Sequence, residues 1–214
     1  MKYTINADSA PSTVPVTKAE CKTIMRIESS ETGFDDLLDA LITRAVSMLE
    51  TYLDMAFIAR PYTMYFDAVP QFRRYFHWQG VRDGRMSELF GQCDAFEIPV
   101  YPLYSVASIK MYDTTETAHS VSTDVYQVDT ASRPGRVALK YGQQWPTYVL
   151  RAANSVEVKF TAGYTDADAV PQDIKDAIVS VVDYLFNHAG CTAEEAIANS
   201  GAWSLVKHYR RTKI

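Results

Sequence analysis

Hydrophobic residues follow two different rhythms along this chain, and the rhythm changes from region to region. From Asp35 to Tyr52, Leu37, Leu38, Leu41, Ile42, Ala45, Val46, Leu49 and, just beyond, Leu53 recur three and four residues apart. That spacing lays them along one stripe of an amphipathic helix. Asp35 and Asp36 stand at its start, where exposed backbone N–H groups favour negative charge. A second stripe runs through Ile174, Ala177, Ile178, Val181, Val182, Leu185 and Phe186. Pro171 opens it, since a proline's missing N–H is not needed in the first helical turn. His188 to Gly190 close it. Shorter helices are predicted at three places. Thr17 with Glu20 three positions later makes a capping box, with Ala19, Cys21 and Ile24 as the apolar side. Thr192, with Glu194 and Glu195 in the first turn, caps a helix through Ala198. Ala202 to Tyr209 forms the last element.

Between the long stripes the period shortens toward two. Strands are predicted at Pro61–Val69, Phe96–Val100, Val106–Tyr112, Val125–Val128, Arg136–Leu139 and Ser155–Phe160, separated by Ser, Thr, Asp, Gly and Pro as in an antiparallel meander. Two long amphipathic helices more than a hundred residues apart each need a partner, and each other is the simplest one. The expected fold is therefore α+β: N- and C-terminal amphipathic helices packed as a helical core, with an inserted antiparallel β-rich lobe. The expected boundaries are a flexible arm over 1–16 and core helices over 17–59. The β-rich lobe follows over 60–165, with a long loop near 72–94. C-terminal core helices take 166–200, and a basic docking segment 201–214.

Composition narrows the class. Hydrophobic residues make up 47% of 214, ordinary for a folded chain and too high for a disordered one. No apolar run reaches the length of a membrane span, and the first residues lack the apolar core of a signal peptide. Cys21, Cys93 and Cys191 are far apart, odd in number and not at metal-ligand spacing, which suggests folding in a reducing cytoplasm. Fourteen Tyr suit either strands or half-buried contact surfaces.

The search for chemistry finds no constellation. His77, His119, His188 and His208 form no pair at ligand spacing, and His188 fits a helix C-terminus. A lone Gly163 after a strand cannot build a phosphate-binding nest, so it reads as a turn. The expectation is no catalytic residue, no metal, no cofactor and no enzyme. Interaction signals are stronger. The net charge is −5, but the stretch Trp203–Ile214 alone carries +4, which leaves −9 for the rest. Such a polarised tail, with Trp203, Lys207, His208, Tyr209, Arg210, Arg211 and Lys213, suits docking onto an acidic surface or phosphate backbone. Arg73, Arg74, Tyr75, Phe76 and Trp78 interleave charge with rings. They fit an ordinary strand, a contact between subunits or a loop contact, or stacking on single-stranded nucleic acid.

The order of several segments resembles a known family. Pro15-Val-Thr-Lys-Ala-Glu-Cys-Lys22, Asp35-Asp-Leu-Leu-Asp-Ala-Leu-Ile42 and Glu50-Thr-Tyr-Leu-Asp54 look like its first two helices. Ile98-Pro-Val-Tyr-Pro-Leu-Tyr-Ser-Val106 looks like its strand entry. Tyr126-Gln-Val-Asp-Thr-Ala-Ser-Arg-Pro-Gly-Arg136, Trp145-Pro146, Val158-Lys-Phe-Thr-Ala-Gly-Tyr164, Val170-Pro-Gln-Asp-Ile-Lys-Asp-Ala-Ile178 and Leu205-Val-Lys-His-Tyr-Arg210 follow in the same order. Together they resemble the bacteriophage head–tail connector (head completion or adaptor) family, in particular its phiE125 type. Phe72 to Asp94 departs from the pattern.

The resemblance implies a structural protein of the virion, made in the host cytoplasm and seated at the head–tail interface. It implies a ring of roughly twelve copies beneath the portal protein. Such a ring extends the DNA channel, lets double-stranded DNA pass without sequence-specific binding, and joins the head to a neck or tail-completion protein; no membrane is involved. Trp145 and Pro146 would anchor the strand lobe, Gly163 would allow a turn, and Pro171 would start the last long helix. The basic end would face the portal, and deleting residues 203–214 would abolish docking while leaving the fold intact. Two other functions stay open: a neck or tail-terminator ring protein, and a small nucleic-acid-binding packaging factor.

Overall fold

A computed structural model describes residues 3–68, 95–188 and 190–210. It divides the chain into two compact units. One comprises Met1–Ser9 with Pro61–Thr161; the other comprises Ala10–Arg60 with Ala162–Ile214.

The second unit is helical. α1 (Lys18–Met25) and α2 (Asp35–Leu53) come from its first half, and α3 (Gln172–Asn187), α4 (Ala193–Asn199) and α5 (Ala202–Val206) from its second. α2 and α3 pack on each other, as their apolar stripes require. Leu38, Ile42, Ala45 and Leu49 meet Ile174, Ala177, Ile178, Val181 and Val182 in a core from which water is excluded. Each large side chain buried there contributes roughly 1.5–3 kcal/mol. Three positions depart from the expected stripes. Leu37 is 47% exposed, because it falls one residue to the side of Leu38 and Leu41. On α1, Ala19 and Ile24 face outward, and the buried residues are Cys21 and Lys22. Lys22 is tolerated inside because its ammonium pairs with Asp35 and donates to the Glu31 carbonyl at 2.6 Å.

Capping boxes open α1, as the sequence predicts, and α4, where it predicts Thr192 as the cap. Glu20 N donates to Thr17 Oγ1 at 3.3 Å, while Thr17 N donates back to the Glu20 carboxylate at 2.7 Å. Thr192 and Glu195 repeat the arrangement at 3.2 and 2.9 Å. Pro171 lies at the cap of α3, one residue before the helix proper.

The first unit is built from strands: β1 (Tyr3–Ala7), β2 (Arg60–Phe66, whose first residue belongs to the helical unit), β3 (Ala95–Ile98), β4 (Leu103–Tyr112), β5 (Ala118–Ser120), β6 (Tyr126–Asp129), β7 (Gly135–Leu139) and β8 (Val156–Ala162). The expected meander is not what they form. Five strands pair in the order β1-β2-β8-β4-β5, and three in the order β3-β7-β6. β8 thus sits between β2 and β4, although it is the last strand in sequence. Its run Val156, Val158, Phe160 and Ala162 is buried throughout, as suits a central strand. Tyr3–Ala7, expected inside a flexible arm, pairs antiparallel with β2 from Tyr3↔Phe66 to Ala7↔Tyr62. Ala118–Ser120 adds an edge strand that is not among the predicted ones.

Gly163 follows β8 with φ +120, and a Cβ there would lie 2.5 Å from Ala59 N. The chain before β2 runs so close that Ala59 N donates to the Tyr164 carbonyl at 2.8 Å. Glycine is therefore required by backbone approach as much as by turning. Gly163→Ala should destabilise the protein by about 2–4 kcal/mol in urea unfolding, since neither strain nor clash can relax without breaking that bridge. A loss under about 0.5 kcal/mol would contradict the geometry.

The capping carboxylates give a second expectation. Glu20 and Glu195 titrate below the ordinary glutamate value, chiefly because each accepts from a threonine backbone N–H and then from its hydroxyl. A lowered folded pKa means that the stabilisation is complete above the unfolded value near 4.5 and fades as pH falls through the folded one. The Tm gap between wild type and the Glu20→Ala, Glu195→Ala double variant should be open at pH 7 and shrink toward pH 3.

Candidate functional site

Polar side chains inside the strand unit are structural in their geometry. Asp113 organises the β4–β5 turn: it accepts from Thr115 N at 2.8 Å, Thr117 N at 3.0 Å and His119 Nε2 at 2.9 Å. These bonds, led by the one from the Thr115 hydroxyl, hold its carboxyl far below the usual range. The His119 ring stacks on Tyr148 with centroids 4.2 Å apart. Buried Glu157 accepts from Tyr112 Oη at 3.0 Å and Tyr65 Oη at 3.4 Å. Burial first, and Glu157 next, raise both phenols.

Trp145 and Pro146 are half-buried, and the Trp145 ring lies 6.0 Å from Phe96 and 6.4 Å from Tyr126. The indole thus rests on side chains of β3 and β6. In the helical unit, His188 Nδ1 donates to the Tyr184 carbonyl at 3.0 Å and caps α3. Burial pushes the Cys21 thiol up to about 11, which leaves it unreactive at neutral pH. Among the described residues no group of His, Cys, Asp and Glu is placed to hold a metal ion, and no helix is long and apolar enough to cross a membrane.

The surface with a built geometry lies in the helical unit. A groove of about 1130 Å³ is lined by Met48, Thr51 and Tyr52 from α2, Ile197 from α4, and Trp203 and Arg210 from the C-terminal stretch. Its chemistry is aromatic with charges of both signs, since Asp54 and Glu194 line it along with Lys207 and Arg210. Trp203 meets Tyr52 edge to face with centroids 5.6 Å apart. The Arg210 guanidinium lies 4.7 Å from the Tyr52 ring centre and 5.7 Å from that of Trp203. Its NH1 also donates to Tyr52 Oη at 3.2 Å. An arginine stacked this way keeps its charge in water while its flat face is held, so it is preorganised for a carboxylate. Lys207 and Glu194 add opposite charges to the rim.

The expected docking residues are thus partly brought together. Trp203, Lys207 and Arg210 share the groove. His208 turns toward Asp173, with 3.8 Å between Nε2 and the carboxylate, and its ring lies 4.0 Å from that of Tyr209. Arg211 and Lys213 lie outside the described residues, as do Arg73, Arg74, Tyr75, Phe76 and Trp78. Tyr52 and Met48, which complete the groove, carried no docking signal in the sequence. They stand on the solvent side of a stripe whose apolar face drew the attention.

One expectation needs correction. The stretch from 203 is not a detachable tail, because Val206 is fully buried and Ala202 beside it is too. Cutting at residue 203 uncovers the α3 face that α5 packs against. Ending the chain after Arg210 should leave the urea midpoint unchanged. Ending it after Gly201 should cost about 2–4 kcal/mol through exposure of that face.

No family model matches this chain, and no curated protein does. Solved structures match its fold along almost its whole length. The neck of an empty gene transfer agent (GTA) particle computed with C6 symmetry gives a TM-score of 0.70 at 17% identity, covering 99% of this chain and 97% of that one. The virion of a native GTA particle gives 0.69 at 16% identity, covering 98% and 96%. The neck of a native GTA particle computed with C12 symmetry gives 0.66 at 18%, covering 99% and 97%.

Proposed function

We propose that this protein is a structural neck component of a tailed, phage-like particle, acting as a head–tail connector without catalysis. The observation that carries the reading is the likeness in fold to chains of GTA necks, which spans both units and 97% of the partner chain. A shared helical unit alone would be weak support, since small helical packings recur in unrelated proteins. Both units in the same chain order are a stronger sign.

In this reading the protein sits at the head–tail interface of the virion. Copies assemble into a ring beneath the portal, extend the DNA channel, and present a platform for a neck or tail-completion protein. The charge distribution suits that task. With −9 on the body, a lumen faced by carboxylates repels phosphate and lets DNA pass without sticking. The Tyr52–Trp203–Arg210 groove is the docking face that an acidic, apolar-anchored segment of the portal would fill, because aromatic rings and arginine dominate contact energies.

The reading is tested by co-sedimentation with DNA-filled, portal-bearing heads from the same genome. The wild-type chain should bind stoichiometrically and stop DNA leakage. The Trp203→Ala, Arg210→Ala double variant should keep its circular dichroism spectrum and lose binding at least tenfold, a loss of about 1.4 kcal/mol or more. Binding of the wild type to tail tubes instead of heads would transfer the protein to the tail side of the joint. Binding to neither would overturn the connector reading.

A further inference from the structure

The five-stranded sheet ends in two edges whose outward groups can be counted. In the β1–β2 pair, Asp8 N donates to the Pro61 carbonyl at 3.0 Å, and the register keeps paired residue numbers in step from Tyr3↔Phe66 to Ala7↔Tyr62. Bonded pairs alternate along an antiparallel ladder, so Asn6 and Thr4 bond to β2 while Tyr3, Ile5 and Ala7 turn their N–H and C=O groups outward. At the other edge, Asp113 N donates to the Thr117 carbonyl at 3.2 Å and Val121 N to the Ile109 carbonyl at 2.9 Å. The same alternation puts His119 on β4 and leaves Ala118 and Ser120 facing outward. Ala7, Ala118 and Ser120 are exposed, and Tyr3 is 45% exposed.

Natural edges are guarded by shortness, by lysine or proline, by an inward-pointing charge or by a bulge. β5 has only its three-residue length, and the five residues of β1 carry no charge or proline. β1 reads Tyr-Thr-Ile-Asn-Ala and β5 reads Ala-His-Ser, with no Lys, Arg, Asp, Glu or Pro in either. An unguarded edge on a long-lived protein is explained when another strand is meant to cover it. The two edges belong to the same sheet and are different from each other. That combination suits a head-to-tail contact, in which one copy offers β1 and the next offers β5. A contact of β1 with β1 would close at two copies and could not propagate around an axis.

We propose that β1 of one copy pairs with β5 of a second copy, so that the five-stranded sheets join edge to edge around the ring. The inference rests on the ring reading above and names the strands that close it. Tyr3, Ile5 and Ala7 supply the outward groups on one side, and Ala118 and Ser120 on the other. This is strand addition, in which backbone hydrogen bonds give the affinity.

Two proline variants test it, because each removes only an outward N–H and leaves the ladder inside the copy unbroken. Ring formation on portal-bearing heads, and by the free chain at high concentration, is followed by mass photometry and electron microscopy. Ala7→Pro and Ser120→Pro should each keep the wild-type Tm and fail to form rings. An equal mixture of the two should give a one-to-one dimer and nothing larger, because one good β5 edge and one good β1 edge remain. In parallel, hydrogen exchange of the wild type should show the Ile5 and Ala7 amides at least about tenfold slower in the ring than in the monomer. Rings from either proline variant, or amides as fast in the ring as in the monomer, would overturn the strand junction alone. Failure of only Ala7→Pro would overturn the β5 partner. A wild type that forms rings in neither setting would overturn the ring reading, and the junction with it.

Discussion

A buried carboxylate organises the passage from helix to strand, and the rest of the helical unit is arranged around it. Glu50 is only 8% exposed. One of its oxygens accepts from Phe57 N at 2.7 Å, and the other from the Arg60 guanidinium at 2.8 Å. Removing such an anion from water is costly, and only well-placed donors offset the cost. Here the donors are a backbone amide and a charge-assisted arginine, so the loop Asp54–Ala59 has little freedom. Asp54 takes a left-handed conformation at the end of α2, and Met55, Ala56, Phe57 and Ile58 all turn inward. That fixed loop is what Gly163 approaches. The carboxylate therefore sets where Ile58 and Ala59 lie, and with them where the chain re-enters after β8.

Much of the helical unit was legible because its signal is local. Stripes at three- and four-residue spacing predicted α2 and α3, Thr17-x-x-Glu20 predicted the capped start of α1, and Thr192 followed by Glu194 and Glu195 predicted that of α4. Glu50 was legible as well in principle. It falls four residues after Val46 and three before Leu53, on the buried stripe, where an acid needs a partner. The strand order was not legible. Which strand lies beside which depends on contacts between residues far apart in the chain, such as Ser155 Oγ donating at 2.7 Å to the Asp67 carbonyl, 88 positions away. β1 was hidden for another reason. An edge strand packs little, so Tyr3–Ala7 shows no strong alternation and resembles the polar stretch that follows it.

The candidate groove divides along the same line. Trp203, Lys207 and Arg210 stood out because charge segregation is visible in one dimension. Their counterpart, Tyr52, sits 158 positions from Arg210. A half-buried tyrosine on a helix has no sequence mark that distinguishes it from any other. The fate of Val206 illustrates the opposite error: a basic neighbourhood made it look like part of a solvated tail, although the residue itself is apolar and follows Ala202 by one helical turn.

The interleaving of the two units fixes what a growing chain can complete, and when. Tyr3–Ala7 is made before β2, the strand it bonds to, which follows more than fifty residues later, and the central strand β8 comes later still. The helical unit is also left half-made until α3 appears. The chain must therefore be made through β8 before the strand unit closes, and through α3 before the helical unit does. Contacts of such long sequence separation slow folding. They also delay the moment at which the outer side of β1 exists as a formed edge. In the proposed ring this would keep synthesis and assembly apart in time, because a half-translated copy has no formed β1 edge.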